Sequence, residues 1–142
     1  MQDVKEITEY IIHQTQNSGG YISSLKLQKI LYYAQGHHLA SFNEPLFDDE
    51  IQAWKHGPVV PSIYHKYKLN PYILKSTISI VSFSDGLKKF LGDIIETYGF
   101  YSAWTLRQMT HKERPWLNSY KKGMENKVIP NSEIMSYFKS KK

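Results

Sequence analysis

The chain contains no cysteine. That absence excludes disulfides and thiolate zinc sites, and it fits a reducing cytosol. No apolar run approaches the length of a membrane span. The N-terminal stretch Met1-Gln2-Asp3-Val4-Lys5-Glu6 has no apolar signal core, so a cytoplasmic location is expected. There is no block of five or more basic residues. A phosphate-binding P-loop, a G-x-G-x-x-G fingerprint and a G-x-S-x-G nucleophile elbow are all missing. An enzyme reading therefore has no motif to stand on, and no cofactor is expected.

What is present is an ordinary globular composition over 142 residues, a length that suits one domain. Aromatic residues make up 14% of the chain, and 11 of them are Tyr, which suits core edges and interfaces alike. The net charge is +5, but Lys139, Lys141 and Lys142 lie in the last four residues, read as a basic flexible tail at 139–142. The remaining Lys and Arg are scattered among Asp and Glu rather than gathered into a stripe.

The most informative stretch is Trp54-Lys55-His56-Gly57-Pro58-Val59-Val60-Pro61. Pro58 and Pro61 lack a donor and fix their own φ, and each drives the preceding residue out of the α region. The chain must turn at Gly57, run extended, and start a helix only at about Pro61. Stiff backbone here holds Trp54, His56 and Val59 in fixed directions, with Gly57-Pro58 as scaffold.

Hydrophobic periodicity predicts a helix over 3–17 and a second over about 25–42 capped by Ser24. The second is apolar nearly all round and should be the buried centre of the fold. Gly36 inside it costs about 1 kcal/mol relative to Ala, which suggests close approach of another element. A loop and short strand follow over 46–54, with Ile51 and Ala53 facing opposite to Gln52 and Trp54. A short helix over 61–68 carries Ile63, Tyr64 and Tyr67 and ends at Asn70-Pro71. Thr77 to Phe83 reads as a strand or extended arm. Further helices are expected over 85–98, capped by Ser84, and 103–110, capped by Ser102. Another opens at Pro115 and runs to about Lys122. Val128-Ile129 is extended, and Asn131 is expected to cap a last helix bearing Ile134, Tyr137 and Phe138. The fold class is mainly α, with two or three short strands: a helical bundle around helix 25–42.

Several clusters invite chemistry. His37 and His38 are adjacent on a helix, so their rings diverge. His56, His65 and His111 offer no ligand spacing with them, and no metal site is expected. Asp48-Asp49-Glu50 is the one acidic run. It reads as a solvated loop, with pairing to a basic partner as the alternative. Thr110-His111-Lys112-Glu113-Arg114-Pro115-Trp116 holds a catalytic-looking His, Glu and Arg. Its plain reading is a helix connection whose polar side chains bond free backbone ends while Trp116 plugs the core. A winged-helix, nucleic-acid-binding regulator is the rival class. Helix 25–42 offers only Lys26, Gln28, Lys29 and Gln35 for a groove, too few for phosphate and base contacts together.

Three segments carry a family resemblance. Lys26-Leu27-Gln28-Lys29-Ile30-Leu31-Tyr32-Tyr33-Ala34-Gln35-Gly36 resembles the KLQKLLYYAQG signature of the Panacea domain. Asp49 to Pro61 resembles its D-x-I-x-A-W-x-x-G-P-V-V-P block. Ser102, Leu106, Thr110-His111, Glu113 and Pro115-Trp116 resemble its S-x-x-x-L-x-x-x-T-H-x-E-x-P-W block. The likeness runs from about Val4 to Phe138, so 1–142 is expected to be a single Panacea-like domain. The resemblance implies a SocA-like antitoxin of a type II bacterial or prophage toxin–antitoxin pair. Such a protein would be a non-enzymatic binder of a cognate protein toxin, with delivery of that toxin to a protease as an alternative. The family implies no catalytic residues. On physical grounds Trp54, His56, Val59, Tyr64, His111, Arg114 and Trp116 are the expected partner-binding residues, since aromatic and Arg anchors carry most binding energy. For Trp54 and Trp116, core packing is the competing reading.

Overall fold

The fold is a computed structural model that describes residues 1–68, 82–124 and 126–141. The first helix, α1 (Val4–Asn17), starts where the Asp3 carboxylate accepts from the Lys5 amide at 2.8 Å. Helix α2 (Ser24–Phe42) starts one residue earlier than expected. Ser23, not Ser24, is its cap, and accepts from Lys26 N at 3.2 Å. It ends at Asn43, which sits in the left-handed region at φ 58°.

Strand β1 (Ile51–Trp54) pairs antiparallel with β2 (Gly57–Val59) on one side and β3 (Lys127–Ile129) on the other. The register sets Gln52 opposite Val59 and Val128, and Trp54 opposite Gly57. The expected alternation on β1 holds: Ile51 and Ala53 are buried, while Gln52 and Trp54 are half-buried. Residues 57–59, read from sequence only as extended, form a true ladder. Pro58 is tolerated there because β2 is an edge of the sheet. Gly57 is required twice over. Its φ is +116°, and a side chain would run into Lys29 and the Thr110 hydroxyl.

Pro61 begins α3 (Pro61–Tyr67) as its spacing demands. The expected stop at Asn70-Pro71, and all of the expected arm at 77–83 except Ser82 and Phe83, lie outside the described residues. Phe83 itself is buried, its ring centroid 5.5 Å from that of Tyr10. Ser84 and Ser102 cap α4 (Asp85–Gly99) and α5 (Ala103–Thr110) as predicted, accepting from Leu87 N and Thr105 N. Two expected boundaries shift. Helix α6 (Arg114–Ser119) stops short of Lys122, because Tyr120 is already extended. Helix α7 (Asn131–Ser140) is preceded by Pro130 with no side-chain cap, so Asn131 is its first residue and not its cap. Because α7 runs to Ser140, Lys139 and Ser140 belong to it and not to a tail, and Lys139 bonds the Asn43 side chain.

Seven helices and one three-stranded sheet among the described residues make the fold mainly α. Helix α2 is its centre, with Leu27, Ile30, Leu31, Tyr32, Tyr33 and Ala34 all buried. Helix α7 packs on it most intimately. The Phe138 ring lies directly on Gly36, so a Cβ there would overlap it, which accounts for the glycine. No described helix is long and apolar enough to cross a membrane.

Candidate functional site

The polar residues of α2 are the natural first place to look for a site, and each described one in its signature turns inward. The Lys26 ammonium donates to the Gly99 carbonyl at 2.6 Å. The Gln28 amide clasps Val60 from both ends: it accepts from Val60 N at 2.7 Å and donates to Val60 O at 3.4 Å. Gln35 repeats the device about two turns further on, accepting from Leu46 N at 2.8 Å and donating to Phe47 O at 2.9 Å. Both loops are buried there, and buried backbone groups need such partners.

Tyr32 and Tyr33 donate to opposite oxygens of the Glu113 carboxylate, each at 2.8 Å. Burial is the main reason both hydroxyls are far less acidic than usual, with the Glu113 charge adding to it. Burial also raises the Glu113 carboxyl, and the two tyrosine bonds oppose that rise. Lys29 is fully buried and donates weakly to Pro58 O at 3.4 Å. Desolvation, then the nearby Arg107 charge, brings its ammonium down to about 7.

The catalytic-looking segment at 110–116 has the same internal character. Thr110 donates to Arg107 O at 2.9 Å. The His111 ring reaches Arg107 O through Nδ1 at 2.6 Å and Lys55 O through Nε2 at 2.9 Å. A neutral ring can donate from only one of these nitrogens at a time. Trp116 is 7% exposed, stacks on Tyr120 with centroids 4.6 Å apart, and donates from Nε1 to Trp54 O at 2.7 Å. His111 and Trp116 thus brace the β1–β2 turn from behind. Glu113 lies elsewhere in the core, so no acid–base pair is assembled from them.

Four of the seven expected contact residues do meet. A groove of about 390 Å³ opens between the start of α2, the β1–β2 turn and α3. Leu25, Trp54, Val59 and Tyr64 give it apolar walls, and Gln28 and His56 are among its polar lining. Trp54 and Tyr64 meet edge to face, 4.9 Å between centroids, and Gln52 fixes the indole by accepting from its Nε1 at 2.9 Å. Val59 is only 5% exposed and forms the floor. Arg114 lies apart, over the Tyr137 ring at 5.4 Å and within 3.4 Å of Ser140 Oγ.

Two neighbours were not read from the sequence. Arg107 donates from Nε to His56 Nδ1 at 3.1 Å, and its guanidinium lies 4.7 Å from the Trp104 ring centre. Trp104 is 59% exposed, which for an indole marks an accessible surface. Their spacing of three residues on α5 was the available signal, because it sets two side chains on one helical face. The third wall of the groove, Leu25, had no signal. Its helix is apolar nearly all round in the sequence, so no single apolar residue stood out as surface-facing.

The model of the family described as "Antitoxin SocA-like, Panacea domain" matches residues 27–117. That span covers most of the α2 signature, the hairpin and the 110–116 connection, and is shorter than the resemblance read over Val4 to Phe138. A curated relative, "Antitoxin SocA" of Caulobacter vibrioides (strain NA1000 / CB15N), is 34% identical over 113 residues, 67% of this chain. The chain spans 58% of the length of that relative. No solved structure matches. With three signature blocks and a family match across more than half its residues, the chain belongs to the SocA-like Panacea domain family.

Proposed function

We propose that this protein is an antitoxin that neutralises a cognate protein toxin by direct binding, as the partner in a type II pair, and that it performs no bond-making step. The name of its relative supports the antitoxin role. The observation that most supports a binding role is the preformed groove, whose Trp54–Tyr64 wall stands open on the surface. Aromatic side chains held in place lose little entropy on binding, so they make efficient anchors. In this reading Trp54, His56 and Tyr64 touch the toxin, Val59 is the floor, and His111 and Trp116 hold the turn in position. Arg114 belongs to another face, and contacts the toxin only if the interface is wide. A location in the bacterial cytoplasm, where such a toxin would act, goes with this reading.

The test begins with the gene beside this one. That gene is induced alone and then together with this chain. Growth arrest relieved by co-expression is the expected result, with Tyr64→Ala and Trp54→Ala losing rescue while remaining folded. A harmless neighbour, together with no partner recovered by pull-down, would end the proposal. Toxin levels separate two mechanisms: a toxin that persists in rescued cells is occluded, and one that disappears has been delivered to a protease.

A further inference from the structure

The groove has a charged end that the antitoxin reading leaves unexplained. His56 links the apolar walls to Arg107, and Lys55 precedes it in the same turn. Lys29 lies directly beneath that turn. The described residues contain two ion pairs, Lys66 with Glu9 and Lys89 with Asp93, and neither involves this cluster. The acidic run sits at the opposite end of β1 and is engaged in part there: Asp49 accepts from Ser62 at 2.8 Å, and Glu50 lies against Gln52. Lys55, Arg107 and Lys29 all act on His56 as positive charges, and none of them forms an ion pair with a carboxylate among the described residues.

Arg107 is set up to receive one. Its Nε is used on His56 and its plane is supported by Trp104, while neither terminal nitrogen has a hydrogen bond among the described residues. A stacked guanidinium keeps its planar fork in place, and that fork matches a carboxylate in two-point fashion. His56 senses the same imbalance. Desolvation first, then the charges of Arg107, Lys55, Lys29 and His111, make it harder to protonate than an ordinary histidine.

We infer that the groove receives an acidic, hydrophobic segment of a partner protein, one of whose carboxylates pairs with Arg107 and Lys55 while a neighbouring apolar side chain fills the space between Leu25, Trp54 and Tyr64. The inference rests on the binding role above and specifies the chemistry of the partner. A protein segment fits better than a nucleic acid. The cation cluster is small and local, and the adjoining walls are apolar and deep enough for a side chain, whereas nucleic-acid surfaces track several phosphates in a row.

The test uses the full chain and a labelled peptide of about twelve residues that interleaves Asp and Glu with Leu and Phe. Its control carries Asn and Gln in place of the acids. At physiological salt the acidic peptide is expected to bind at least about tenfold more tightly than its control. NMR shifts should centre on the indole N–H groups of Trp54 and Trp104 and on the His56 ring. Arg107→Ala and Lys55→Gln should each cost the acidic peptide about five- to tenfold and leave the control unchanged, and Arg107→Lys should restore only part of the loss. The His56 ring should titrate at higher pH in the complex, because a nearby carboxylate favours its charged form.

Equal binding of the two peptides, no binding of either, or tighter binding of a single-stranded oligonucleotide at these residues would overturn the inference. The two readings fail separately. Peptide selectivity without any rescue of a toxic neighbour would remove the antitoxin role and leave this surface. Rescue that depends on Trp54 and Tyr64 but ignores Arg107 and Lys55 would do the reverse.

Discussion

The polar row of α2 and the aromatic rim of the β1–β2 turn adjoin each other, and they use their side chains in opposite ways. On α2, Gln28, Lys29, Tyr32, Tyr33 and Gln35 look like a ligand-binding face when written out, yet all are buried and bonded to other parts of the chain. At the turn, Trp54, His56 and Tyr64 carry fewer polar atoms but keep surface free. The contrast teaches that a motif rich in polar residues can be a set of internal fasteners. The five fasteners reach the hairpin, the 46–47 loop and the 110–116 connection, which are the segments without long helices of their own. Removing a fastener should disturb folding, whereas removing a rim residue should disturb binding.

The strongest test of that contrast is Glu113→Ala, which leaves two buried tyrosine hydroxyls without an acceptor. We expect a loss of about 3–5 kcal/mol in denaturant unfolding, and a smaller loss for Glu113→Gln, which keeps an accepting oxygen. An unchanged midpoint would mean the carboxylate is not a fastener. Gly36→Ala comes next. Its methyl group must displace the Phe138 ring, at about 1–3 kcal/mol, and Phe138→Leu in the same chain should recover part of the loss.

Lys29 gives a pH signature. With its folded ammonium near 7 and an ordinary unfolded one near 10.5, the unfolded chain holds more protons between those values. Stability should therefore rise with pH from about 7 toward 9, by roughly 1–2 kcal/mol, as the penalty of burying the charge fades. The rise should be missing from Lys29→Met, measured by urea unfolding across that range. The smallest stability effect belongs to the rim: Tyr64→Ala should cost less than about 1 kcal/mol in unfolding, yet weaken toxin binding by about 2 kcal/mol or more in calorimetry. A rim variant that unfolds the protein would erase the distinction.

Much of the architecture was legible. Ser84, Ser102 and Pro61 announced three helix starts, because caps and prolines act on backbone groups within one turn. The Gly57 turn and the buried α2 followed from equally local rules. Gly36 predicted a close neighbour without naming it, since nothing near position 36 refers to Phe138. The misread starts of α2 and α7 are each off by one residue: Ser23 and Ser24 are equally good caps on paper, and Asn131 already belongs to the helix, with extended Pro130 before it and no side-chain cap. The groove was half legible. Trp54, His56, Val59 and Tyr64 share one stiff segment, so their gathering follows from it. Leu25, Arg107 and Trp104 join them from helices distant in sequence. Arg114 was expected there because it neighbours His111 and Trp116, but the first turn of α6 points it toward α7 instead.

Local sequence determined where this backbone turns, stiffens and coils, since steric limits and caps operate within a few residues. The three signature blocks also identified the family. What only the tertiary structure decided is which polar groups are consumed inside and which remain available. That outcome depends on partners tens of residues away: Glu113 meets Tyr32 and Tyr33, and Val60 meets Gln28, only when packing brings them within hydrogen-bonding distance. The same packing leaves Arg107 and Lys55 without a carboxylate at the mouth of the groove.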